Sequence, residues 1–497
     1  MVMTGWITAT LLNLVATTVR ANEHADVPAV YRHMINANRA QLVVLAESGL
    51  IDHHSAAEIG VALEAALSET PPPGSDRPLD PRYIELERWL VRRVGPAASN
   101  IHQGRSRNDL GAVQNRMQLR EWTLDLVRAI GDVRRKVQAL AADHADTVMP
   151  GYTHAVQAQP TTVGHFLLAF DAGLARDCDR LRECYVRINR CPLGAAAFNT
   201  SAFPLDRRRL SDLLGFDAPI ANSHDAIMVS IADSKVEFTQ HLALSALGIG
   251  RFAQYILFQY DDPVPGIAID GPLVTRSSIM PQKRNPSHLE RLRTEASEVV
   301  GLSTTSSFMV HNTPMYEVKD AREHHFVRIA RVADAAAGMY DRLETLIDSL
   351  RVREDVLRRK VESGFSTMTE LADTLRRDHD VPFRVGHEVA SKVTDFGREH
   401  GVLPKDLRIE DVNRIYHEVT GESLPLTAEQ LATTLDPVHF IASRRGLGGP
   451  QPDSMRRLLT DQRRGLKETN DWVQREQSEI AAAMRGLAEA IARLRHR

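Results

Sequence analysis

Between Arg276 and Glu290 the chain reads RSSIMPQKRNPSHLE, a run in which three serines, a lysine, two arginines and an asparagine surround two prolines. It is too polar and too broken by proline to be core, and too compact for an ordinary linker. Asn285 followed by Pro286 is a favourable helix start, with asparagine as the cap and proline at the first helical position. The helix that follows would aim its unpaired N–H groups and positive dipole end back at the loop. Lys283 adds a full positive charge and Asn285 a donor. Such a place suits a carboxylate whose negative charge grows in a transition state. Ser277 and Ser278 lie just upstream, on a loop that could close over that anion. A capped helix carrying a solvated basic loop fits the same residues equally well.

Two more polar segments carry candidate chemistry. In MPGYTHAVQAQPTTVGH (Met149 to His165), Thr153 and His154 follow a Met-Pro-Gly-Tyr turn. A lone histidine is more often structural than catalytic; a carboxylate such as Glu290 on one ring nitrogen would fix its tautomer and raise its basicity. In SNIHQGRSRNDL (Ser99 to Leu110), Ser106, Arg107 and Asn108 are donors near a helix start. They could grip a second carboxylate, but alone they read as a cap and a surface arginine.

Long helices must position these segments. Leu119, Trp122, Leu126, Ile130, Val133, Val137 and Leu140 recur in steps of three and four, one face of an amphipathic helix. The span from Ala232 to Tyr260 is more uniformly apolar and suits a helix inside a bundle. A third helix is predicted from Pro286 to Thr305. Strand-like alternation is scarce and no glycine-rich nucleotide-binding turn is present, so the class is mainly α. The breaks divide the chain into residues 1–103, 104–350 and 351–497. PPPGSDRPLDP (Pro71 to Pro81) forms a proline-rich loop in the first part, and GLGGPQP (Gly446 to Pro452) a turn before a charged terminal helix in the last.

The 497 residues are 43% hydrophobic and 25% charged with a formal net charge of −3, an ordinary globular balance with no basic footprint for nucleic acid. The three cysteines, Cys178, Cys184 and Cys191, are too few and too widely spaced for a disulfide framework or a zinc motif. Reduced cytoplasmic thiols and no metal are the expectation. The N-terminal MVMTGWITATLLNLVATTVRAN lacks a basic start, and is too polar to span a bilayer. It is expected to pack on the protein.

Together the three segments resemble the fumarase/aspartase superfamily and, within it, the argininosuccinate lyase branch. The superfamily signature Gly-Ser-Ser-x-Met-Pro-x-Lys-x-Asn-Pro matches from Ser277 to Pro286, with Arg276 in place of glycine. GRSRND (Gly104 to Asp109), MPGYTH with AQP (Met149 to His154, Ala158 to Pro160), PLG…FPLDR (Pro192 to Arg207), GFSTMTELAD (Gly364 to Asp373) and VPFR (Val381 to Arg384) resemble the branch. The resemblance implies a three-domain, mainly helical subunit whose long helices join three others in a twenty-helix homotetrameric core. Each active site would then draw on three subunits. It implies cleavage of a C–N bond β to a carboxylate with release of fumarate, through an aci-carboxylate intermediate and without metal or cofactor. By position, Ser277 is the base, and Lys283 with the helix end at Asn285 stabilises the doubled charge. Ser106, Arg107, Asn108, Thr153, Gln159, Ser278 and Met280 fall at substrate-binding positions. His154, supported by Glu290, resembles the pair that protonates the leaving nitrogen.

Departures cluster where the amine is handled. NSHDAI (Asn222 to Ile227) is kept, but MVSIADSK follows where the branch has Ser-Asp-Arg-Asp, and the arginine is absent. In MYEVKDAREHH, Glu317, Arg322 and His325 stand where the branch has tyrosine, glutamine and lysine. DPRY (Asp80 to Tyr83) replaces Glu-Asp-x-His. Arg322 and His325 are expected to preserve positive charge, which favours another N-succinyl amine, of the ethylenediamine-disuccinate type, over argininosuccinate itself. A crystallin-like structural paralogue would also keep the fold, although retention of Ser277, Lys283, Asn285, Thr153 and His154 favours catalysis.

Overall fold

A computed structural model describes residues 29–68, 79–260, 264–269 and 271–495. The N-terminal segment and most of the proline-rich loop lie outside them. Helices dominate, as expected. Three come first: α1 (Ala29–Glu47), α2 (His53–Ser68) and α3 (Leu79–Val94). Five long helices follow: α4 (Arg107–Asp143), α5 (Val163–Ile188), α6 (Ser230–Tyr260), α7 (Ser287–Val310) and α8 (His325–Ser349). These five run alternately up and down and share one core. The third part adds α9 (Met368–His379), α10 (Phe383–His400), α11 (Ile409–Thr420) and the closing α12 (Pro452–Arg493).

The predicted stripe on α4 is the face that packs. Leu119, Leu126, Ile130, Val133 and Val137 are buried, with Trp122 and Leu140 partly so. The apolar α6 touches α5, α7 and α8, which is why it carries so few charges on its buried faces. A buried ion pair ties α4 to α5: Arg134 Nε donates to Asp171 Oδ1 at 2.9 Å, and Gln138 Nε2 to its other oxygen at 2.8 Å. Every lone pair used there matters, because burying a charge is favourable only when it is fully partnered. The last helix departs from the sequence division. Its Met455, Trp472 and Val473 join the bundle core and its Leu487, Ala490 and Ile491 join the first part.

Short strands connect the helices at one end. The hairpin β1 (Val148–Thr153) and β2 (Val156–Thr162) lies between α4 and α5. β3 (Ile267–Ile269) pairs antiparallel with β6 (Leu350–Val352) beyond α8. β4 (Thr275–Arg276) pairs with β5 (Arg284–Asn285), closing residues 277–283 into a loop. The three cysteines are buried and free, and burial pushes the Cys178 and Cys191 thiols up to about 12 and about 11. No helix among the described residues is long and apolar enough to cross a membrane.

Candidate active site

The loop after β4 is built around one serine. Ser277 Oγ accepts the backbone N–H groups of Met280 at 3.0 Å and Ile279 at 3.4 Å. Its own N–H reaches Lys283 O at 3.4 Å, and Lys283 N–H reaches Met280 O at 3.0 Å. A serine hydroxyl is a poor base unless its anion is stabilised, and two N–H donors on the oxygen supply that stabilisation. The loop is held from both sides: Ser287 Oγ donates to Thr275 Oγ1 at 2.7 Å and Tyr260 donates to Arg284 O at 3.3 Å. Ser278, Met280 and Lys283 are exposed around it, and Ser277 is half-buried.

One sequence expectation is corrected here. Asn285 does not cap α7; Pro286 occupies the cap position with φ −79° and ψ 56° and no side chain bonds to the first turn. The reason is that the Asn285 backbone is committed to the β4–β5 pairing, opposite Thr275. The open helix end therefore still faces the loop without a side-chain acceptor, and Glu290 stands exposed in its first turn.

His154 sits at the tip of the β1–β2 hairpin. His154 and Ala155 have φ of 54° and 61°, a two-residue turn in the left-handed region that glycine and asparagine normally fill. Keeping histidine there costs about 1–2 kcal/mol. Gly151 allows the bulge beneath it, since a Cβ would meet Gln159 O at 2.8 Å. Thr153, His154 and Gln159 are all exposed. The hairpin tip leans along the bundle, with Tyr152 edge-on to Phe258 at 5.0 Å. A cleft of about 820 Å³ runs between Tyr152, Ala155, Phe258, Arg293 and Ser297. Within the chain His154 makes no hydrogen bond or ion pair with Glu290; the expected pair is not formed inside one subunit.

The remaining candidates gather at the opposite end of the bundle. Ser106 caps α4, its Oγ accepting Asn108 N–H at 3.2 Å, with Arg107 exposed beside it. Asp109, which the sequence reading did not single out, is fully buried and accepts Ala196 and Ala197 N–H at 2.6 and 2.8 Å. Burial pushes its carboxyl up while those donors pull it down. It thereby holds a loop in which Gly194, Ala196, Ala197 and Thr200 all have positive φ. Its place in the GRSRND motif was the available signal. Ser223 donates to Phe198 O of that loop at 2.7 Å, and His224 Nε2 lies 3.2 Å from Met315 O, so the NSHDAI segment and the turn before α8 close the same end.

At that end two expected donors prove to be committed elsewhere. Arg322 is buried, with Nε 2.9 Å from Glu317 Oε1 and Nη2 3.0 Å from Glu323 Oε1. His325 is fully buried against Ser306 Oγ at 2.8 Å, and burial together with the nearby Lys235 pushes it down to about 3. The expectation that both residues offer positive charge to a ligand is therefore corrected. Arg322 is neutralised by its neighbours and His325 is an uncharged core residue. Lys235 went unnoticed in the sequence. Fully buried, it donates to Ala321 O at 3.0 Å and Arg322 O at 3.2 Å, and burial with Arg322 nearby pushes it down to about 7.

The two groups of residues lie at opposite ends of α7. At 1.5 Å per residue its 24 residues span about 36 Å, too far for one small ligand to touch both within a chain.

Comparison with known proteins agrees with the motifs. Residues 85–301 match a lyase family model and residues 365–442 the argininosuccinate lyase C-terminal model. The argininosuccinate lyase of Methanoculleus marisnigri is 33% identical over 451 residues, 90% of each chain. The chain belongs to the argininosuccinate lyase branch of the fumarase/aspartase superfamily. That of Methanosarcina acetivorans is 32% identical over 92% of each chain. Among solved structures, EDDS lyase in complex with formate superposes with a TM-score of 0.85 at 32% identity, covering 94% of this chain and 92% of that one. The protein is thus a carbon–nitrogen lyase of the superfamily's mainly helical fold.

Proposed function

We propose that the protein eliminates an amine from an N-succinyl amine to give fumarate, in the reducing cytoplasm and without metal or cofactor. The observation that carries this reading is the Ser277 oxygen with two backbone N–H groups directed at it. Ser277 takes the proton from the carbon next to the carboxylate. The electron pair left behind delocalises onto that carboxylate as an aci-carboxylate, whose growing charge is met by Lys283, by Asn285 and by the uncapped start of α7. Collapse of that state breaks the C–N bond. The nitrogen leaves with a proton supplied from the His154–Glu290 pair, and the double bond of fumarate forms.

The full site is assembled from several chains. Ser106 and Asn108 supply carboxylate donors from one subunit, and Thr153, His154 and the Ser277 loop come from others, as the 36 Å separation along α7 supports. A homotetramer with a twenty-helix core and three subunits at each site brings unlike ends together. Gln159, Ser278 and Met280 line the carboxylate side. The amine side differs from that of an argininosuccinate lyase, since Arg322 is paired with Glu317 and Glu323 and His325 is buried and uncharged. The likeness to EDDS lyase favours a disuccinylated diamine or a related N-succinyl amine.

The test is absorbance of fumarate formed from argininosuccinate and, in parallel, from ethylenediamine-disuccinate and other N-succinyl amines. Turnover of the latter with none from argininosuccinate supports the altered amine; fast turnover of argininosuccinate refutes it. Ser277→Ala should lower turnover by about 10²–10⁴ while the assembly persists. An unchanged rate would remove Ser277 as base, and no turnover of any substrate by the wild type would favour a structural paralogue.

A further inference from the structure

We propose that Cys184, Glu237 and His241 form a zinc-binding site that staples α5 to α6. The donor atoms of these three side chains all lie within 4.8 Å of one another. Glu237 and His241 stand four residues apart on α6, so one helical turn presents both to the same spot. Cys184 approaches from α5, where the thiol is fully buried. Sulfur, nitrogen and one carboxylate oxygen are the donor set of a zinc ion with three protein ligands and an open fourth position.

The imidazole supplies a second and independent indication. Neither ring nitrogen of His241 reaches solvent, and Nδ1 has no hydrogen-bond partner. The nearest charged atom is Glu237 Oε1, 3.5 Å from Nε2. A buried nitrogen left without a partner is costly, and coordination satisfies it. Zinc–ligand bonds of about 2.0–2.3 Å place neighbouring donors roughly 3.5 Å apart. Small side-chain rotations close the present spacing.

Glu237 is also gripped by Arg187, whose Nε lies 2.9 Å from both carboxylate oxygens. Arg187 is more than half exposed and free to keep one oxygen while the metal takes the other. That is the usual arrangement of an outer partner on a ligating carboxylate. Burial is the main influence on the Cys184 thiol and pushes it well up; Glu237 and Asp233, a turn earlier on α6, act in the same direction, while Arg187 and Arg116 oppose them. Binding releases the thiol proton to solvent, and the thiolate and carboxylate together neutralise the ion. The site involves neither Ser277 nor His154, and its ligands come from helices far apart in sequence, which is why cysteine spacing alone gave no sign of it.

The experiment titrates the full-length protein with cobalt(II), a spectroscopic substitute for zinc, and then competes it with zinc. The wild type should develop a near-ultraviolet thiolate-to-cobalt band that zinc abolishes. Cys184→Ser should lose the band, Cys191→Ser should keep it, and His241→Ala should weaken zinc retention on dialysis by at least about tenfold. No band in the wild type at excess cobalt, or a band that survives in Cys184→Ser, overturns the proposal. If Cys184→Ser fails to fold by circular dichroism, the partly exposed His241→Ala decides alone, and unchanged zinc retention there overturns it.

Discussion

Separation of the two half-sites by the length of α7 makes a quantitative prediction about hybrids. Ser277→Ala damages only the loop end of a chain, and Asn108→Ala only the opposite end. Each variant alone should be nearly inactive, with losses of roughly 10²–10⁴ for the base and 10²–10³ for a carboxylate donor. Suppose equal amounts are unfolded together and reassembled at random. A site is intact when its loop comes from an Asn108→Ala chain and its other end from a Ser277→Ala chain. The two independent choices leave about one quarter of all sites complete in a symmetric assembly, so fumarate production should recover to about one quarter of wild type. The assay is fumarate absorbance on mixtures whose hybrids are verified by native mass spectrometry with two differently sized tags. Confirmed hybrids no more active than the average of the parents would show that both ends of a site belong to one chain, and the geometric argument would fall.

Other consequences are open to measurement. Asp171→Ala leaves Arg134 buried without its partner and should cost about 3–5 kcal/mol, read from the urea midpoint; a loss under one kcal/mol would mean that water reaches the pair. His154→Gly relaxes a left-handed backbone and should raise stability by about 1 kcal/mol while fumarate formation falls, and a loss of stability would contradict the strain. Lys235 is pushed down to about 7 in the folded chain from an ordinary 10.5. Between those values the unfolded chain binds the extra proton, so stability should rise with pH across that window. Urea midpoints in Lys235→Met should show a smaller rise, and equal slopes would mean that Lys235 stays protonated.

The sequence disclosed the long helices because their apolar residues repeat at the helical period, and α4 buries the stripe that the spacing of Leu119 to Val137 anticipates. From serine, lysine and a helix start alone the Ser277 loop read equally as an anion site and as a solvated basic loop, and the family signature tipped the reading. What the pattern missed were partnerships across the fold. Asn285 reads as a cap by type, yet its backbone belongs to a strand pair with Thr275. Arg322 and His325 read as charge, but one is paired with glutamates and the other is desolvated to neutrality. The partners of Asp109 and Lys235 could not be read locally, because what they do depends on backbone groups nearly ninety residues away. Local type and period announce an element; they do not say who will be standing opposite.

The distance along α7 has a bearing on substitution as well as on assembly. Within one chain, Glu317, Arg322 and His325 lie some seven helical turns from the Ser277 loop, so the two ends meet only where subunits meet. On the proposed reading, a change at the amine end leaves the fold of the Ser277 loop in the same chain untouched. In this chain the run from Ser277 to Pro286 keeps the superfamily signature, while the stretch from Met315 to His325 departs from the branch pattern.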